Sequence, residues 1–450
     1  MPERSIQKSL QYLTRAKKLI PCQTQTLAKG PTQWVQGVAP NYLHRGKGAH
    51  VWDVDENRYI DYAMALGPMV LGYCNPVVNR AVKKQLDRGS TFTLMHPLEV
   101  EVAEMLTRIL PWADMVRYGK NGSDATSVAL RLARAYTGRD KIACCGYHGF
   151  QDWYIGTTER NRGIPQATSS LSLTFEYNDL DSLTDLFTSN REEIAAVIME
   201  VVAMTPPEPG FLEAVRSLTH KHGAVLIFDE LFTGFRFALG GAAEYFGVEP
   251  DLACYGKAIC NGFPLSVLAG RGEIMREFED RGDKLGVFFS FTFGGEALSL
   301  AAAKATLSEM EDKQVIDFIW EQGRKLMNGI DDLAKKNGIT EFISTRGYPP
   351  KNFLLATDPE QRFSPLQLKS LFQQECIKRG VLFIGYHAMS YSHNDKIIAE
   401  TLKAYDGAMK ILKSALVEGD LERYMEGSYV TQVFKNVGDR WGYEKQPMEK

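Results

Sequence analysis

Through the middle of the chain, short apolar runs alternate with helix-length apolar stripes. Lys141–Cys145, Ala195–Met199 and Ala224–Phe228 are too short for helices and suit strands of a parallel sheet covered on both faces. Asn75-Pro76 opens a helix through Val77, Val78, Ala81 and Val82. Ser123–Tyr136 carries its apolar residues at Ala125, Val128, Ala129, Leu132 and Tyr136, a helical spacing. The alternation from about residue 76 to 325 predicts an α/β domain with a mostly parallel central sheet. Ahead of it, two alternating runs within 49–62 flank Asp55-Glu56-Asn57 and read as a β-hairpin. The first 45 or so residues read as an arm, a short helix and then a loop with Gly30, Pro31, Gly37 and Pro40. Beyond about 326 helices mix with short strands such as Gly380–Ile384, which predicts a smaller α+β domain. The expected division is therefore 1–75, 76–325 and 326–450, with a loose polar tail at Glu444–Lys450.

Composition removes several classes of function. A net charge of -3 offers no basic surface for nucleic acid or anionic membrane. The start, Met1-Pro2-Glu3-Arg4-Ser5, leads into no apolar signal segment, and no run is long and apolar enough to span a membrane. The seven cysteines are odd in number, two of them are adjacent, and no CxxC pairs suggest a metal site. Reduced thiols in a cytoplasmic chain are expected.

The candidate chemistry centres on two residues. Asp229 ends the buried-looking run Ala224–Phe228, and Lys257 follows Gly256 between apolar stretches. A lysine can hold an aldehyde cofactor as a Schiff base, and an aspartate can keep a pyridine nitrogen protonated so that the ring withdraws electrons. The cofactor that fits is pyridoxal 5'-phosphate. Burial of Lys257 would make its amine more nucleophilic. The alternative for Asp229 is a helix cap or an ion pair with Arg236.

Around this pair, Asn121-Gly122-Ser123 precedes the helix just described, where N–H groups and the dipole favour an anion. An ordinary N-cap by Ser123 or Asn121 is compatible with that use. Tyr147 could stack on a flat ring after the strand ending at Cys145, and His148 could act as a base or be purely structural. Thr292, in Phe289-Ser290-Phe291-Thr292-Phe293-Gly294-Gly295, suits a second phosphate contact or a turn. Trp34, Trp153 and Glu200 are the substrate-side candidates. Arm packing is the plain alternative for the aromatic residues, which also include Phe150 and Tyr154. No GxGxxG follows a strand, so a dinucleotide-binding enzyme is not indicated.

In this order the motifs resemble the class III aminotransferases of the fold type I pyridoxal phosphate enzymes, with an aspartate aminotransferase-like fold. The branch most resembled is that of glutamate-1-semialdehyde 2,1-aminomutase. The resemblance runs from about residue 30 to 415 and rests on Arg45–Gly48, Trp52–Asp55, Asn121–Thr126, Tyr147-His148-Gly149, Phe228-Asp229-Glu230, Thr233–Arg236, Gly247–Leu252 and Gly256-Lys257. It implies that Lys257 forms the Schiff base and shuttles a proton, that Asp229 holds the pyridine nitrogen, and that Tyr147 stacks on the ring. It also implies that Gly122 and Ser123 bind the phosphate and that Thr292 reaches the cofactor of a neighbouring subunit, hence a homodimer with shared sites.

The chain departs from the aminomutase in several places. The arm reads Ala28–Trp34, where the aminomutase has a substrate-binding arginine. Tyr386–His393 stands where the aminomutase has an acidic residue between aromatics. Asn121, Asp124 and Glu296 replace the usual Ser, Glu and Asn. The expected activity is transfer of an amino group from an amino-acid donor to an aldehyde or ketone. Intramolecular aminomutation is the alternative, and a catalytically silent cofactor-binding protein is the least favoured.

Overall fold

The strands in chain order are β1 (Leu43–Lys47), β2 (His50–Asp53), β3 (Arg58–Asp61), β4 (Met115–Gly119), β5 (Lys141–Cys145), β6 (Ser172–Thr174), β7 (Ile194–Glu200), β8 (Val225–Glu230), β9 (Leu252–Tyr255), β10 (Ser266–Gly270), β11 (Ile343–Tyr348), β12 (Lys351–Ala356), β13 (Val381–Leu382) and β14 (Tyr386–Ala388). They come from a computed structural model that describes residues 4–434. The polar tail at 444–450 lies outside the described residues.

Two compact units emerge. One joins the described residues up to Asn75 with Asp317–Val433, and the other comprises Pro76–Ile316 together with Phe434. The second division falls inside the helix Val315–Asn337.

The second unit is built on a seven-stranded sheet of order β4-β10-β9-β8-β7-β5-β6. β5–β6, β5–β7, β7–β8 and β8–β9 pair in parallel, while β10 runs antiparallel to both β4 and β9. All residues of β8 are buried, as are all of β7 but Glu200, which explains why these strands read as unbroken apolar runs. Every second residue faces one layer. Ile142 and Cys144, Ala196 and Ile198, and Val225 and Ile227 pack with Ala125, Val128, Ala129 and Leu132 of the helix Gly122–Thr137. That helix ends at Gly138, whose φ of 70° is the left-handed cap that glycine adopts without strain. The fold is thus α/β with one reversed strand in an otherwise parallel sheet.

The first unit has two smaller sheets. One has the order β1-β2-β3-β13, with β13 parallel to β3, and the other is the antiparallel β11-β12-β14. The hairpin about Asp55–Asn57 forms as β2 and β3. Asp53 Oδ1 closes its turn by accepting the Asp55 and Asn57 N–H groups at 3.0 and 2.8 Å. The divergent stretch Tyr386–His393 belongs to this interior. His387 is fully buried, with Nδ1 2.7 Å from Asn352 Oδ1 and Nε2 2.8 Å from the Tyr405 hydroxyl. Burial holds its imidazole down at about 3, so it stays neutral. No described helix is long and apolar enough to cross a membrane.

Candidate active site

Parallel strands deliver their carboxyl ends to one edge of the sheet, and loops that leave there converge. β4 leads into Lys120-Asn121-Gly122, β5 into Gly146-Tyr147-His148, β7 ends on Glu200, β8 carries Asp229, and β9 is followed by Gly256-Lys257. Glu200 pairs with Asp229, and Asp229 with Cys254, in the strand register. Leu231 ties two of these loops together. A Cβ added at Gly122 would meet its side chain at 2.6 Å, and one at Gly256 at 2.8 Å.

Asp229 is buried, at 4% exposure. Its Oδ2 lies 2.8 Å from His148 Nδ1, and its Oδ1 accepts the Leu231 N–H at 3.0 Å. The partner of this carboxylate is therefore His148, not Arg236. His148 Nε2 lies 3.0 Å from the Cys145 carbonyl oxygen, which can only accept, so this nitrogen carries a hydrogen. Both ring nitrogens are engaged and the ring is fully buried, so His148 braces Asp229. Thr126 Oγ1 donates to the His148 carbonyl at 3.0 Å and fixes the turn to the helix.

The loop ahead of the helix Gly122–Thr137 is held by a reversed cap. Asp124 Oδ2 accepts the N–H groups of Lys120 and Asn121 at 2.9 and 2.7 Å. Ser123 Oγ accepts the Phe150 N–H at 3.2 Å. Gly149, at φ 112°, sits so close that a Cβ there would be 2.1 Å from Ser123 Oγ. Lys120 is drawn aside, its Nζ 2.8 Å from Glu296 Oε2, and Glu296 in turn caps the helix Ala297–Asp312.

Lys257 departs from expectation. Its flanks, Tyr255, Gly256, Ala258 and Ile259, are buried, but Lys257 itself is exposed. A left-handed turn at φ 43° lifts its side chain out of the packed layer. Its Nζ stands 4.8 Å from the centre of the Phe232 ring. Phe232 is a neighbour that the sequence reading passed over, although its position after Asp229-Glu230-Leu231 was the available signal.

The remaining candidates separate. Tyr147 is 42% exposed, meets Tyr154 edge-on at 5.5 Å, and donates its N–H to Glu200 Oε2 at 3.0 Å. Glu200 thus secures the turn that presents Tyr147. Trp153 is a core residue: its ring stacks 6.0 Å from His148 and its Nε1 donates to Ser127 Oγ at 3.0 Å. Trp34 belongs to the first unit, where it packs against the cluster of Ala39, Val51, Tyr59, Ile377 and Leu382. Thr292 lies on an exposed turn.

Glu230, beside Asp229, was not anticipated. It is fully buried and accepts from the Thr233 hydroxyl and from the Ala242 and Ala243 N–H groups, the last two at 3.0 and 2.7 Å. Burial raises its carboxyl from 4.5 to about 7. The folded protein therefore holds this proton more tightly than the unfolded chain. The resulting stability is fully present below 4.5 and is lost as pH rises through about 7. It amounts to roughly 3 kcal/mol at most. The melting temperature of Glu230→Gln is expected to fall less steeply than that of the wild type over this window. Equal slopes would dismiss Glu230 as the source.

These parts suit one kind of group. A buried carboxylate braced by His148 would suit a pyridinium N–H. A glycine-and-serine cradle at a helix start would suit a phosphate, and an exposed amine an aldehyde. Gly122 and Gly149 sit where a side chain would fill that cradle. Fold and site together define a pyridoxal phosphate-type transferase. The chain belongs to the aminotransferase class-III family, whose model matches residues 34–390. It is 33% identical to a 3-aminobutyryl-CoA aminotransferase of Cloacimonas acidaminovorans, covering 91% of this chain and 98% of that one. It is 36% identical to a glutamate-1-semialdehyde 2,1-aminomutase of Alkaliphilus oremlandii, covering 91% and 100%. Among solved structures it resembles the FumI protein of Sphingopyxis sp. MTA144 in its PLP internal aldimine form, at 29% identity and a TM-score of 0.83 over 91% of this chain and 98% of that one.

Proposed function

We propose that this protein transfers an amino group from an amino-acid donor to an aldehyde or ketone, with pyridoxal 5'-phosphate bound at the edge formed by β5, β7, β8 and β9. The observation that carries the reading is that Asp229 and Lys257 leave neighbouring parallel strands at one edge, with Asp229 braced by His148 at 2.8 Å. When bound, the cofactor supplies an electron-withdrawing ring that stabilises the carbanion formed at the donor's α-carbon. Asp229 would hold the ring nitrogen in its protonated form. Lys257 would anchor the cofactor covalently and, once released, carry the proton between the donor's α-carbon and the cofactor. Gly122, Ser123 and the helix start behind them would take the phosphate, and Tyr147 would lie on the ring face.

Aminomutation is the second reading, favoured by the likeness to glutamate-1-semialdehyde 2,1-aminomutases. Against it stands Tyr386–His393, where a buried His387–Asn352 pair occupies the region of the aminomutase's acidic residue. The deciding experiment is the absorbance spectrum of the protein supplied with cofactor. An aldimine band should bleach with a single donor such as L-glutamate or L-alanine and return with a keto acid. A band indifferent to every donor, with turnover of a lone amino aldehyde, would favour aminomutation.

A homodimer with Thr292 reaching the partner's cofactor is part of this proposal. It is supported by the apolar side chains of Leu94, Met95, Phe288 and Phe293, each more than half exposed. A single-chain mass in sedimentation equilibrium would remove it. A cytoplasmic location accords with cysteines that remain thiols.

A further inference from the structure

Phe434 lies well past residue 390, where the family match ends, yet it groups with the unit that carries the site. Its ring centre is 6.0 Å from that of Tyr147, with the planes inclined at 55°. The Arg160 guanidinium carbon stands 5.8 Å from the same Phe434 ring, within cation–π range. Tyr147 leans edge-on against Tyr154, which is buried, and the Arg160 N–H donates to Thr158 Oγ1 at 3.2 Å. The exposed part of Tyr147 is therefore flanked by a ring that the family's common core does not supply.

We propose that Phe434 is a specificity-determining residue of this site, forming with Tyr147 an apolar wall for substrates that carry an aromatic or aliphatic arm. The proposal rests on the reading above that Tyr147 borders the cofactor. A substrate reacting there lies against whatever flanks the open part of Tyr147, and Phe434 flanks it. Phe150, 65% exposed, follows three residues after Tyr147. The chemistry at the reacting carbon does not involve Phe434, so its effect falls on binding of the arm and not on the proton transfer.

The test uses the full-length, cofactor-loaded protein with two donors that differ by a phenyl group, L-phenylalanine and L-alanine. The wild type should prefer the phenyl-bearing donor. Phe434→Ala should raise the KM for that donor by about 2- to 12-fold, the equivalent of an aromatic pair worth ~0.5–1.5 kcal/mol. The KM for L-alanine and both kcat values should stay within about twofold. Phe434→Leu should fall between. A second readout needs no cofactor: amide hydrogen exchange of residues 146–150 should quicken in Phe434→Ala. No wild-type preference, no turnover of the phenyl-bearing donor, or an unaltered KM ratio overturns the proposal, as does unchanged exchange. If the wild type forms no cofactor band at all, the underlying reading fails instead. An intact band with an unaltered ratio sinks the Phe434 inference alone.

Discussion

Lys257→Ala is expected to leave the protein folded and to lower turnover by about three to four orders of magnitude or more. Proton transfer by a positioned side chain alone accounts for about 10²–10⁴-fold, and the loss of the covalent anchor adds to it. The fold should tolerate the change because the Lys257 side chain is exposed while its flanks carry the packing. Borohydride reduction followed by peptide mapping gives an independent check. The cofactor's mass should be fixed on the peptide containing Lys257 in the wild type and be absent from the variant. Transamination by Lys257→Ala at the wild-type rate would end the proposed role.

Asp229→Asn should be the next most damaging change, lowering kcat by about 10²–10³-fold, the usual cost of removing one preorganised electrostatic contact. The substitution keeps the shape of the side chain but not its charge, so a ring nitrogen facing it loses the partner that favours protonation. The loss should fall on kcat more than on the affinity for cofactor, which the glycine-and-serine cradle would largely retain. Steady-state kinetics together with a cofactor titration separate the two. An unaltered kcat would mean that the carboxylate serves only to brace His148.

Much of this was legible in the chain. The runs Lys141–Cys145 and Ala224–Phe228 appear as β5 and β8 because strands covered on both faces need unbroken apolar sequence, which little else produces. The stripe from Ala125 to Leu132 is the face that covers them. Less legible were the partnerships. His148 and Asp229 are 81 positions apart, and nothing local in either segment says that the two side chains meet. The exposure of Lys257 was misjudged because burial was read from neighbours, whereas a left-handed turn separates a residue from its flanks. Trp153 showed the opposite difficulty. An aromatic near a site motif reads as a substrate wall until the bond from its Nε1 to Ser127 shows it belongs to the interior.

The left-handed turn at Lys257 has a consequence for how this fold diverges over time. At a φ of 43° a lysine sits where the backbone would be better served by glycine or asparagine. Local preference and the proposed chemical duty pull in opposite directions at this one position. A descendant relieved of catalysis would be free to drift toward the easier residue without disturbing the sheet beneath. If Lys257 holds the proposed role, the occupant of that turn is the position that would tell working enzymes from retired ones among chains of this architecture.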